Sequence, residues 1–158
     1  MMLRTIIYTL VLFVVSCNIG EDDLNKWNKA QDLYNNNDFN SCLVELHSIV
    51  ESSKSDEYIT KSLFLISEIY LNEFKNYDIT IEFLNEIIWN YPTSELAKRS
   101  LFTKAYINSN YIQSYTIAKE LYNQFLEKYP NDDLIPSVKY ELEELEKHSE
   151  TIQNLLNK

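Results

Sequence analysis

Similar residues recur at intervals of 37 or 38 positions along most of the chain, and this period constrains the fold more than any other feature. Each copy has an aromatic residue, a small residue three positions later, and large apolar residues four and seven positions after that. The columns are Phe39, Tyr77 and Tyr115; Cys42, Thr80 and Ala118; Leu46, Leu84 and Tyr122; and Ile49, Ile87 and Phe125. A single copy cannot bury its own apolar face, so the period predicts stacked copies that share a core.

The small residues predict that each copy is a pair of antiparallel helices. Another small-residue column lies upstream and consists of Ala30, Ser67 and Ala105. Small side chains let two helices approach closely, while larger apolar residues fill the space around the contact. Pro92 and Pro130 end the second helix of two copies, because proline lacks the N–H group that a helix needs. With one glycine and three prolines, the chain has too few turn residues for a sheet-rich fold.

These columns resemble the tetratricopeptide repeat, with its small residue at the eighth position, an aromatic residue at the turn and a closing Tyr-Pro. The usual period of that repeat is 34 residues. The longer period and the segments FLNEIIWNYPTSELAKRSL and LYNQFLEKYPNDDLIPSVKYELEEL resemble the group of envelope proteins that includes BamD and YbgF (CpoB). The resemblance covers residues 22–146 and implies a right-handed, all-α solenoid that binds other proteins. The chain has fewer repeats than BamD and lacks the coiled coil of YbgF.

The division that follows has three helix pairs and a final single helix. Repeats are predicted at 24–53, 57–92 and 94–130, within a repeat region of 24–133, and a C-terminal capping helix at 134–158. The final helix covers an apolar face that the third repeat would otherwise expose.

The first sixteen residues have the pattern of a signal peptide: Arg4 supplies a positive charge, and an apolar run of ten residues follows from Ile6 to Val15. The segment VVSC, which ends at Cys17, resembles the lipobox of bacterial lipoproteins, whose cysteine is acylated. Two or three acyl chains anchor a protein stably where one does not. We therefore expect a lipid on Cys17 and an acidic tether at 17–23, with an ordinary secretory signal or an uncleaved anchor as alternatives. By resemblance, Asn18 favours the periplasmic face of the outer membrane.

The sequence gives little support for catalysis. A net charge of −10 disfavours nucleic-acid binding. His47 and His148 are the only histidines and have no ligand-like spacing, and one glycine cannot form a glycine-rich phosphate loop. Cys42 occupies a small-residue column, which predicts a buried, inert thiol. We therefore predict neither an enzyme nor a cofactor or metal site.

Binding has better support, because the family lines a concave groove with the first helix of each repeat. The predicted groove residues are Trp27, Phe64 and Phe102, then Gln31, Glu68 and Tyr106, then Tyr34, Leu71 and Ser109. Aromatic anchors with a few polar groups suit an extended or helical peptide. The alternative is that these aromatic residues pack between successive first helices.

The C-terminal helix is a second candidate for binding. Its apolar residues follow steps of four and three, as in a short coiled-coil seam: Val138, Leu142, Leu145, Ser149, Ile152 and Leu156. Leu145, Ile152 and Leu156 are the predicted contacts with a partner helix, although residues 149–158 also have the option of fraying or folding back.

The sequence thus predicts a membrane-anchored scaffold of the bacterial cell envelope that holds another envelope protein or a peptide segment of one. The more specific hypothesis is an accessory lipoprotein of outer-membrane protein assembly, resembling BamD. The alternatives are a YbgF-like coordinator of cell-wall synthesis and envelope constriction, and a structural homodimer with no groove ligand.

Overall fold

The structure, a computed structural model, describes residues 21–156, and every regular element in this range is a helix. The helices are α1 (21–35), α2 (Phe39–Ser52), α3 (Asp56–Asn72), α4 (Tyr77–Asn90), α5 (Glu95–Asn110), α6 (Tyr115–Lys128) and α7 (Ile135–Leu156). The all-α fold class, with helices in adjacent pairs, is confirmed. The predicted signal peptide and Cys17 lie outside the described residues.

The chain divides into two compact units, the first ending at Ile69 and the second beginning at Tyr70. In the first unit, the small residues Ala30 of α1 and Cys42 of α2 have no exposed surface. The Cys42 thiol donates a hydrogen bond to the Ala30 carbonyl oxygen at 3.2 Å, so the two backbones lie close together at the predicted contact. Leu46 and Ile49 are also fully buried and complete this core.

The first helix begins earlier than the sequence predicts, because residues 21–23 are helical and not part of a tether. Asp23 is only 3% exposed. Its carboxylate accepts a hydrogen bond of 2.7 Å from the Ser53 hydroxyl, which also accepts from the Ser55 backbone N–H at 3.0 Å. Asp23 therefore joins the start of α1 to the loop between α2 and α3, and its burial is explained by that partner.

The second unit is built on the contact of α5 with α6 and is closed by α7. Its core contains the small residues Ala105 and Ala118, two fully buried rings, Tyr122 and Phe125, and Val138 of α7. The first half of α7 thus packs on the third helix pair. Among the described residues no helix has the length and apolarity needed to cross a membrane.

The turn inside each helix pair contains one residue in the left-handed region: Asn37, Lys75 and Gln113 have φ of 58°, 53° and 60°. They are 38 residues apart, like the columns of the sequence. This conformation places Cβ close to a carbonyl oxygen and is normally occupied by glycine. The repeat therefore imposes the same backbone at three positions where the sequence has no glycine.

The first of these turns is one residue shorter than the third. Eight positions separate Ala30 from Asp38, whereas nine separate Ala105 from Ser114. As a result, the Asp38 N–H donates to the carbonyl five residues back at 2.9 Å, but the Ser114 N–H donates to the carbonyl six residues back at 2.8 Å. The deletion explains why the upstream column repeats at 37 and then at 38.

Candidate functional site

The predicted groove residues of the first unit lie at different depths. Trp27, Tyr34 and Glu68 are half-buried, and Gln31 is exposed. Phe64 is only 7% exposed, so its ring offers little surface to a ligand in this conformation. The role of these five residues in binding stays a prediction.

In the second unit the predicted residues Leu71, Phe102 and Tyr106 are all half-buried. The rings of Phe102 and Tyr106 are stacked, with centroids 6.5 Å apart. Phe102 also contacts Tyr122 at 5.9 Å and Phe125 at 6.4 Å, so one side of its ring packs on the core. Phe102 therefore supports Tyr106 from below and contributes to packing as well as to this surface.

Three tyrosines, which we call the tyrosine row, continue from Phe102 along the surface of the second unit: Tyr106, Tyr111 and Tyr77. Tyr106 meets Tyr111 edge to face at 6.1 Å, and Tyr111 stacks on Tyr77 at 5.0 Å. Tyr111 is 45% exposed, and Ile112 beside it is 38% exposed. Aromatic rings held in contact lose little entropy on binding and are common anchors at protein interfaces.

Sequence reasoning found Tyr106 but missed Tyr77 and Tyr111. Tyr77 belongs to the aromatic column that starts the second helix of each copy, and this column was interpreted only as part of the turn. Tyr111 has no counterpart of the same kind in the other copies, since Phe74 and Asn36 or Asn37 stand near that position. The repeat pattern therefore contains a signal for Tyr77 but none for Tyr111.

A cavity of about 500 Å³, which we call the α5–α7 pocket, lies in the second unit. Phe102, Tyr106 and Ser109 are spaced by four and three on α5, so the surface that bears Tyr106 leads to Ser109 in the pocket wall. The lining residues are Ser109, Asn110, Gln113, Tyr115, Tyr140, Glu141, Glu144, Leu145, Lys147, His148 and Thr151. The pocket is thus formed by the end of α5, the turn after it, the start of α6, and α7.

The wall formed by α7 is charged. Glu144 and Lys147 form an ion pair of 2.7 Å, and this bond holds the pKa of Lys147 above its usual value. The His148 ring lies 4.6 Å from that of Tyr115. None of the ion pairs found among residues 21–156 includes the half-buried Glu141.

A buried hydroxyl lies behind this wall. Tyr122 has no exposed surface, and its hydroxyl oxygen makes no hydrogen bond of normal geometry. Burial raises the pKa of Tyr122, and the nearby Glu141 carboxylate raises it further. The hydroxyl therefore stays protonated beside an acidic group, without a well-formed bond to it.

The predicted helix-pairing seam is only partly described. Leu145 is 8% exposed and belongs to the core of the second unit, because the first half of α7 packs its apolar side chains inward. Leu145 is therefore committed to its own chain. The side chains of Ile152 and Leu156 lie outside the described part, and Leu155 is 65% exposed. Pairing through the end of α7 stays a prediction.

Neither thiol chemistry nor metal binding is prominent in the described range. Burial is the main cause that raises the pKa of Cys42 to about 11, so its thiol is protonated and unreactive at neutral pH. Within residues 21–156, no three His, Cys, Asp or Glu side chains come together to hold a metal ion.

Comparison with known families identifies the repeat. Residues 61–94 and 99–132 each match the tetratricopeptide repeat. Their starts are 38 residues apart, as in the sequence columns, and the matched segments cover most of α3 to α6. No curated protein matches the chain. The first helix pair lies outside the match, so its assignment as a repeat stays a prediction.

These segments indicate a class of protein, a repeat scaffold that binds protein partners. Proteins built from tetratricopeptide repeats are generally scaffolds without catalytic activity. The surface that fits this role best in the second unit is the tyrosine row together with the α5–α7 pocket.

Proposed function

We propose that the protein is a lipid-anchored scaffold of the bacterial cell envelope that binds a segment of another envelope protein on the tyrosine row. The repeat match supports protein binding in general. The tyrosine row carries the assignment of the surface, because it combines ring contacts with an exposed tyrosine in a single unit. The lipobox-like segment before Cys17 supports the anchor and the compartment.

The anchor is tested by a Cys17→Ser variant of the full chain. We expect it to leave the membrane fraction and to lose the incorporation of radiolabelled palmitate, since the acylated sulfur is gone. A Cys42→Ala variant is the matched control and keeps both properties, because Cys42 is fully buried. A Cys17→Ser chain that still sediments with membranes contradicts lipid anchoring and supports an uncleaved signal segment.

The binding surface is tested by photocrosslinking in intact cells, with a photoreactive phenylalanine analogue at position 111. Trp89 of α4 is 70% exposed and provides a matched aromatic control position outside the row. We expect a discrete heavier band from position 111 and not from position 89. Equal capture from both positions, or from neither, contradicts binding on the tyrosine row.

The identity of the captured protein separates the finer hypotheses. A β-barrel assembly component supports the BamD-like role, which we favour on the resemblance of the two quoted segments. A peptidoglycan synthase supports the YbgF-like role. A band of twice the chain's own mass supports the structural homodimer, for which the exposure of Leu155 at the end of α7 is the relevant observation.

A further inference from the structure

We propose that the α5–α7 pocket binds a lysine or arginine side chain of the partner segment. This inference rests on the proposed function, because it names the chemistry of the partner at one end of the surface that bears the tyrosine row. It concerns a wall formed largely by α7, whose residues have no counterpart in the repeat.

The size of the pocket suits such an occupant. Its volume of about 500 Å³ lies within the range of roughly 300–1,000 Å³ that is usual for ligand sites. A long side chain together with its flanking backbone fits this space, whereas a flat surface would hold only its tip. Because Ser109 lies on the same face of α5 as Tyr106, a segment on the tyrosine row is well placed to insert a side chain there.

Glu141 provides the charge complementarity. It is half-buried and has no cationic partner among the described residues, whereas the neighbouring Glu144 is already paired with Lys147. A partly desolvated carboxylate gains more from an ion pair than an exposed one does, provided that the pair is also hydrogen-bonded. A guanidinium or ammonium group from the partner would supply both contributions.

A second observation points to the same place. The Tyr122 hydroxyl is fully buried, lies beside Glu141 and makes no hydrogen bond of normal geometry. A buried hydroxyl without a partner is uncommon and costs free energy. A cation that drew the Glu141 carboxylate into a fixed position would also fix an acceptor for this hydroxyl.

The aromatic lining favours a cation over a neutral ligand. The rings of Tyr115 and His148 lie together in the wall, and Tyr140, which is 59% exposed, lines the pocket as well. Aromatic faces attract cations, and arginine in particular stacks on them. The net charge of −10 adds a long-range attraction for a basic segment.

The test uses the full chain in detergent and two small probes, acetyl-arginine amide and the uncharged near-isostere acetyl-citrulline amide, titrated by NMR. We expect the arginine probe to shift backbone amide signals of residues 109–115 and 140–151, and the citrulline probe to bind at least about 5-fold more weakly, since it lacks the charge. Added salt lowers the affinity for the arginine probe only.

Matched variants separate Glu141 from general acidity. Glu141→Gln is expected to weaken the arginine probe about 5-fold or more, whereas Glu127→Gln, an exposed acid on α6, leaves its affinity unchanged. Glu144→Gln provides a second removal of charge from the same wall and guards against a local folding effect in one variant. Equal affinity for the two probes, or equal effects of Glu141→Gln and Glu127→Gln, overturns the proposal.

Failure of this proposal is distinguishable from failure of the proposed function. Photocrosslinking at position 111 reports on partner binding without reference to charge, so it can succeed when the arginine probe does not bind. In that outcome the scaffold function stands and the partner inserts no basic residue into the pocket.

Discussion

The two compact units fill the same repeat positions with side chains of different size. The matched pairs are Cys42 and Ala118, Leu46 and Tyr122, and Ile49 and Phe125, and all are fully buried. The first unit has an aliphatic core. The second has an aromatic core, from which Phe102 leads to the half-exposed tyrosine row. The period therefore decides which positions are buried, while the size of the core residues decides whether aromatic surface continues outward as a binding surface.

The largest expected effect tests the aromatic core directly. Phe125→Ala should lower the free energy of unfolding by about 3–5 kcal/mol, because a fully buried ring is replaced by a cavity. Urea unfolding followed by circular dichroism measures this change. A loss below about 1 kcal/mol would mean that the second unit repacks and that its aromatic core is not specific.

The reciprocal substitution sharpens the same comparison. Ile49→Phe places the residue of the second unit in the first, and we expect it to destabilise the protein by about 1–3 kcal/mol through overpacking. If Ile49→Phe is tolerated without loss, the two cores are interchangeable and their difference in residue size carries no structural information.

The N-caps of the second helices give a smaller difference between the units. The Asp38 side chain accepts a hydrogen bond from the Ser41 N–H at 3.2 Å, whereas the Ser114 side chain makes no capping hydrogen bond. We therefore expect Asp38→Ala to cost about 1 kcal/mol, and Ser114→Ala to stay within about 0.5 kcal/mol of the parent. Denaturant midpoints of the two variants, measured side by side, test this. A larger loss at Ser114 than at Asp38 contradicts the assignment of the caps.

Much of this organisation was readable from the sequence, because column residues such as Ala30, Ala105 and Phe125 report a repeated environment. The start of α1 was not, since the burial of Asp23 depends on Ser53, thirty residues away in sequence and outside any column. The α5–α7 pocket was missed for a related reason. α7 is a single helix without a second copy, so periodicity could not show that Leu145 faces the core while Glu141 lines a cavity.

The smallest expected effects come from the three left-handed positions, and they are gains in stability. Lys75→Gly and Gln113→Gly should each stabilise the protein by about 0.5–1 kcal/mol, because the relief of the Cβ contact exceeds the added entropy of the unfolded chain. Asn37→Gly should gain less, since asparagine adopts this conformation more readily than lysine or glutamine. Thermal unfolding of the three variants in one buffer gives the order. A gain at Asn37 equal to that at Gln113 would show that the shorter first turn is as strained as the third, and would remove one of the differences between the two units.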